Sequence, residues 1–226
     1  MVLFFLMVIS QTYGFELKAT RAETALFFRP EYNLNFRFTW DIALFGSLEL
    51  NELLILNGGI AAGQIRDIAA IDAHGSAEIR FPFLKLVPLS LKAAYIYNGL
   101  PAYNTHIHSL LPLAAIEWRY FGVSAGYLFR YTFFSGNPVL FEPILAYRLF
   151  VNFFNTDNVF AGISLENYDD FFADNLGFYS IGLYNRFRLT QLISASSELE
   201  INISGNVGRI TSIYGLTCKC GIIFTW

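Results

Sequence analysis

The stretch Glu31-Tyr-Asn-Leu-Asn-Phe-Arg-Phe-Thr-Trp-Asp-Ile-Ala-Leu-Phe45 decides the fold. Its even positions, Tyr32, Leu34, Phe36, Phe38, Trp40, Ile42 and Leu44, are all apolar. Its odd positions Asn33, Asn35, Arg37, Thr39 and Asp41 are all polar. Successive side chains on a strand point to opposite faces, so a period of two gives one greasy face and one polar face. The pattern recurs outward along the chain. Phe121, Val123, Ala125, Tyr127, Phe129, Tyr131 and Phe133 alternate with Gly122, Ser124, Gly126, Arg130 and Thr132. Val139, Phe141, Leu145, Tyr147, Leu149, Val151 and Phe153 oppose Glu142, Arg148 and Asn152. Tyr179, Ile181, Leu183, Phe187 and Leu189 oppose Ser180, Gly182, Arg186 and Arg188, and Leu199, Ile201 and Ile203 oppose Glu198, Glu200, Asn202 and Ser204.

The composition sharpens this. Of 226 residues, 54% are hydrophobic and only 15% charged, against about 25% charge in a soluble domain. Such a chain has too much apolar side chain to be disordered. A spanning helix needs about 20 consecutive apolar residues, and the longest run is Val2 to Ile9. A net charge of −3 gives no basic footprint for nucleic acid. A large soluble β-protein and a transmembrane barrel remain. Strands in soluble proteins run about 5–6 residues, whereas a tilted membrane strand needs about 9–11. The long alternating runs favour the barrel.

Val2 to Ile9 followed by Ser10-Gln-Thr-Tyr-Gly14 reads as an export signal over 1–14, with Thr12 and Gly14 at the cleavage positions. No Lys or Arg precedes the apolar core, which suggests a start further upstream. Residues 15–30, with poor alternation, form an N-terminal periplasmic segment or a first strand, and 31–226 form the barrel. Strands are expected at 31–45, 47–57, 60–73, 76–84, 88–98, 106–120, 122–134, 139–153, 158–168, 175–189, 192–204 and 209–226. Asn57-Gly-Gly59, Ser135-Gly-Asn-Pro138, Asn155-Thr-Asp-Asn158 and Ser204 to Gly208 read as turns. The expectation is an all-β, antiparallel up-and-down barrel of about twelve strands, with ten or fourteen left open. Bacterial barrels have an even count and periplasmic termini. This puts outer loops near 46, 74–75, 99–105, 135–138, 169–174 and 205–208. Inner turns fall near 58–59, 85–87, 121, 154–157 and 190–191.

The final stretch places Ile210, Ser212, Tyr214, Leu216, Cys218, Cys220, Ile222, Phe224 and Trp226 on one face. With this ending the chain resembles bacterial outer-membrane β-barrel proteins, whose last strand typically closes on an aromatic residue with apolar residues at alternate positions. Here that residue is Trp226 where Phe is commonest. The resemblance implies an integral outer-membrane location among outer-membrane lipids. It also implies Tyr214, Ile222, Phe224 and Trp226 as a signal to the barrel-insertion machinery. It names no subfamily and no oligomeric state.

The opposite parity describes the lumen: Arg37, Asp41, Glu117, Arg119, Arg130, Glu142, Arg148, Glu166, Arg186, Arg188, Glu198, Glu200 and Lys219. Charges inside a barrel stay hydrated or pair, whereas on lipid they cost about 2–4 kcal/mol at midplane. They read as a salt-bridge network or as a pore lining that biases solute choice. A channel passing small polar solutes is therefore the leading function. The alternatives are a membrane hydrolase acting on lipid or peptide, and a non-conducting structural or adhesion barrel. For the hydrolase, His106, His108 and Ser109 are weak catalytic candidates, with Asp169, Asp170 and Asp174 in another outer loop. No nucleophile motif, zinc pattern or cofactor signature is present. Cys218 and Cys220 read as small lipid-facing residues.

Overall fold

The computed structural model describes residues 19–33, 37–51, 53–65, 68–81, 88–135, 139–168, 178–206 and 209–226. Among these residues twelve strands close into one barrel. They are β1 (Ala19–Asn33), β2 (Arg37–Leu50), β3 (Leu54–Ile65), β4 (Ile68–Arg80), β5 (Leu89–Leu100) and β6 (Thr105–Glu117). Then come β7 (Phe121–Phe133), β8 (Leu140–Asn155), β9 (Val159–Glu166), β10 (Phe178–Arg188), β11 (Ile193–Asn206) and β12 (Arg209–Thr225). Each pairs antiparallel with its neighbours in chain order, and β1 closes on β12 with Glu23 opposite Thr225. Closure leaves no strand edge, so backbone polar groups find partners without water.

The count of twelve is as expected, but the strands are drawn differently. The decisive stretch is not one strand. Tyr32 lies opposite Phe38 and Asn33 opposite Arg37, so the chain reverses between them. Directly opposed residues share a face. A reversal that pairs 32 with 38 therefore keeps even positions on the same side. Tyr32 and Phe38 both face outward, 54% and 56% exposed. The alternation runs unbroken through a hairpin, which is why the sequence hides it. Residues 19–33 accordingly form the first strand rather than a periplasmic segment. Their alternation is blurred because Phe27 points inward, where it packs against the buried Ala43 and Ala61.

This displaces the early boundaries. Asn57-Gly-Gly59 lies inside β3, not in a turn, with Gly58 opposite both Gly46 and Gly75. Positions 46 and 74–75, expected as outer loops, are mid-strand in β2 and β4. From β5 onward, the strand order and sidedness match the sequence reading. The strand ends Leu100 and Thr105, Phe133 and Leu140, Glu166 and Phe178, and Asn206 and Arg209 lie at the rim away from the termini. The connections 118–120, 156–158 and 189–192 lie at the terminal rim. A second correction concerns β12. Asn202 pairs with Gly215 but Ile203 pairs with Ile213, so a bulge falls at Tyr214. The bulge breaks parity, and Ile213 rather than Ser212 takes the apolar outward position. Ile222, Phe224 and Trp226 keep the expected exposed face.

The outer surface is a continuous belt of Leu, Ile, Val and aromatic side chains, from Leu26 through Ile60, Leu110, Tyr127, Leu149, Leu183 and Ile222. Ile60 is 62% exposed. Soluble monomers rarely expose contiguous apolar patches larger than a few hundred Å², so this belt is a lipid-facing surface. Aromatics gather toward its edges. Trp118 stacks on Phe121 at 4.6 Å and Phe224 on Trp226 at 6.4 Å near the terminal rim. Tyr131 and Phe141 pair at 4.9 Å toward the other. This is the girdle arrangement of membrane barrels.

Candidate lumen site

Two walls of the inward face differ. On one, Ala94, Leu111, Leu113, Leu128, Ile144 and Ala146 from β5 to β8 form a buried apolar cluster, with Tyr168 packed against it. Leu111 and Leu128 are each 1% exposed. Asn167 ties this packing to β8. Its amide donates to the Leu145 carbonyl at 2.7 Å and accepts from the Tyr147 N–H at 2.9 Å. The Tyr168 and Ser124 hydroxyls are 2.8 Å apart. The polar lumen expected from the sequence is thus corrected for this wall. The signal was present: Leu110-Leu-Pro-Leu-Ala-Ala-Ile116 is apolar at both parities, as a strand buried on both faces should be.

The other wall, from β8 round to β1, is polar and charged. There the register sets opposite charges directly across strand pairs: Arg148 with Glu166, and Glu198 with Lys219. The same pairing extends to Arg29 with Asp41, Glu78 with Lys92, and Arg130 with Glu142. Arg148 Nε lies 2.8 Å from Glu166, whose residue is only 5% exposed. The Arg29 guanidinium donates two bonds to one Asp41 oxygen, at 2.8 and 2.7 Å. A third bridge skips strands: Arg186 on β10 reaches Glu23 on β1 at 2.8 Å. Above these lies a chain of buried polar groups, in which Ser180 donates to Asn202 at 2.8 Å and Asn202 to Thr217 at 2.9 Å.

Between these groups lies a cavity of about 340 Å³. It is lined by Phe27, Phe150, Phe160 and Tyr184, and by Glu117, Arg148, Arg186, Glu198 and Lys219 among others. Five of the predicted lumen charges therefore converge on it, with Glu117 at the end of β6 among them. Glu166 and Glu200 sit beside it. Their carboxylates and that of Glu198 lie within 4.8 Å of one another, and Arg148 and Lys219 supply compensating charge. Arg130 and Glu142 face each other across β7 and β8, away from the cavity lining. Arg188 folds onto the 189–192 turn, donating to the Thr190 and Gln191 carbonyls. Arg119 lies in the 118–120 connection and donates to the Asn155 carbonyl at 2.8 Å, so it belongs to the rim rather than the wall. Arg37 is placed by register alone, opposite Asn33.

Sequence reasoning missed Glu23 and Arg29, because the sequence leaves residues 15–30 open between a periplasmic segment and a first strand, and the lumen aromatics Phe27, Phe150, Phe160 and Tyr184, because apolar residues were assigned to lipid. The catalytic candidates are not brought together. Ser109 points inward and is buried. His106 and His108 stand on the outer face, where their Nδ1 atoms lie 2.8 and 2.6 Å from the Tyr97 and Tyr95 hydroxyls. Asp169, Asp170 and Asp174 lie outside the described residues. Cys218 and Cys220 are free thiols side by side on the outer face, their sulfurs 3.7 Å apart.

Among solved structures, the NanC porin aligns with TM-score 0.59 and 10% identity, over 88% of this chain and 98% of that one. The fold is that of bacterial outer-membrane β-barrels. The KdgM porin in complex with disordered oligogalacturonate aligns with TM-score 0.55 and 10% identity, over 88% and 98%. Outer membrane phospholipase A from Escherichia coli gives TM-score 0.50 and 10% identity, over 93% and 92%. A porin and a lipase sharing one architecture show that the fold leaves the activity to the site. No protein-family model matches the sequence. No curated protein matches it either.

Proposed function

We propose that the protein is an outer-membrane channel for the passive passage of small polar solutes. The observation that carries this is the charged cavity of about 340 Å³ held inside a lipid-facing barrel. Its charges come from strands on several sides and are fixed by cross-strand and transverse bridges, so it is a built polar space rather than a gap in packing. Barrels of about 8 strands are filled by side chains and those of 16–18 leave an open channel. Twelve strands with one packed wall fit a narrow, low-conductance path. In this reading the termini face the periplasm, residues 1–14 serve export, and the β12 aromatic ending serves insertion. Purified protein, shown to be folded by its heat-shifted gel mobility, is reconstituted in planar bilayers. Discrete steps in potassium chloride are expected, and no conductance from folded protein overturns the proposal.

The packed wall favours a second reading, a non-conducting structural barrel whose interior is a stabilising core. A silent bilayer with folded, stably inserted protein is its expected result, so the same recording separates the two.

A further inference from the structure

We infer that the lumen cavity is a binding site for an uncharged ring sugar, which stacks on aromatic rings laid flat against the barrel wall. The inference rests on the channel reading and names the solute class that the channel would select. Three of the four aromatics that line the cavity lie directly opposite a glycine on the neighbouring strand. Phe150 pairs with Gly122, Tyr184 with Gly162 and Phe27 with Gly221. In each case a Cβ on the glycine would collide with the ring. The glycines therefore leave room for the rings to lie down over the neighbouring strand. A ring so placed turns its face to the lumen instead of projecting across it. Phe160 extends the platform, stacked on Tyr184 with centroids 5.5 Å apart. The Tyr184 hydroxyl is anchored by donating to Asn152 at 2.6 Å. In the closed strand order β1 lies across the ring from β8, so Phe27 faces the platform from the other side of the same cavity. The Lys219 ammonium lies over the Phe27 ring at 5.0 Å, so stacking falls to the aromatics of β8 to β10 and Phe27 bounds the space.

A pyranose has an apolar face of axial C–H groups and an edge of hydroxyls. The ring faces suit the first. The second meets donors and acceptors around the same space: Arg148, Arg186 and Lys219 donate, Glu117 and Glu198 accept, and the Ser197 hydroxyl can do either. The charges do not favour an anion, because carboxylates outnumber cations around the space: Glu23, Glu117, Glu166, Glu198 and Glu200 against Arg148, Arg186 and Lys219. An anionic solute would have to displace a carboxylate from Arg148 or Arg186, whereas a hydroxyl edge needs only to add hydrogen bonds to these groups. The volume falls within the range of small-molecule sites, about 300–1,000 Å³.

The test uses the full chain in detergent and in bilayers, with maltose as probe and sodium glutamate as the charged control. Titration calorimetry on folded protein is expected to show maltose binding and no glutamate binding. In the bilayer, maltose is expected to block potassium chloride current in proportion to occupancy. Phe150→Leu keeps the bulk and removes the ring face, and is expected to weaken maltose binding about five- to tenfold. Gly122→Ala, which pushes the Phe150 ring off the wall, is expected to weaken it likewise. Unaltered heat-shifted mobility in both variants keeps a folding defect apart from a binding defect. A conducting protein that neither binds nor is blocked by maltose overturns the sugar site and leaves the channel standing. Maltose binding without conductance overturns the channel and leaves the site standing. Binding undiminished in Phe150→Leu overturns the stacking platform.

Discussion

The two walls of the lumen are built from the same kind of strand and do opposite things. From β5 to β8 the inward positions hold Ala94, Leu111, Leu113, Leu128 and Ile144, and the space is filled. From β8 round to β1 they hold Arg148, Glu166, Tyr184, Arg186, Glu198 and Lys219, and a cavity remains. The outer face does not distinguish the walls, because both present Leu, Ile and aromatic residues to lipid. A barrel thus uses one part of its interior as a core and leaves another as a polar space. Rigidity and permeability are assigned to different strands.

Disrupting the charged wall is expected to have the largest effect. Arg29→Ala leaves the Asp41 carboxylate enclosed without its guanidinium, at a cost of about 3–5 kcal/mol. Urea unfolding in lipid vesicles measures it, and a loss below about 1 kcal/mol would show that the pair is hydrated. The packed wall comes next. Leu111→Ala is expected to cost about 2–5 kcal/mol and, by opening the filled part, to raise single-channel conductance. Lost stability with unchanged conductance would mean that the packed wall does not border the ion path. Within the polar layer, Asn202→Ala strands Ser180 and Thr217 and is expected to cost about 1–3 kcal/mol. Arg186→Gln frees Glu23 from its principal strap and is expected to shift the reversal potential in a salt gradient toward cation preference. A shift toward anions would reverse the assignment of that bridge to the ion path. The smallest effect belongs to the face that both walls share. Cys220→Ala should change stability by less than about 0.5 kcal/mol, and Cys220 should react with a bilayer-soluble maleimide but not a membrane-impermeant one.

Much of the site was legible where charge meets parity. Arg148, Arg186, Glu198 and Lys219 were readable as inward because a charge on lipid is costly at any register. Phe150 and Tyr184 were not, because an aromatic at inward parity is identified only by the glycine across from it, and Gly122 and Gly162 are 28 and 22 positions away in sequence. Arg119 shared the inward parity but lies in a turn, where parity no longer selects a face. The apolar wall could have been suspected from Leu110 to Ile116. Which residues it meets is set by pairing with β5 and β7.

The sequence by itself determined that the chain makes long, two-faced strands and therefore a lipid-exposed barrel. Period-two alternation is a property of local backbone geometry and is written residue by residue. Only the tertiary structure decided where Glu31 to Phe45 turns back, that Asn57-Gly-Gly59 stays in a strand, and which part of the lumen closes. A hairpin that pairs 32 with 38 preserves parity, so the local pattern carries no mark of it. Pairing register and barrel closure, which join residues far apart in sequence, set the rest.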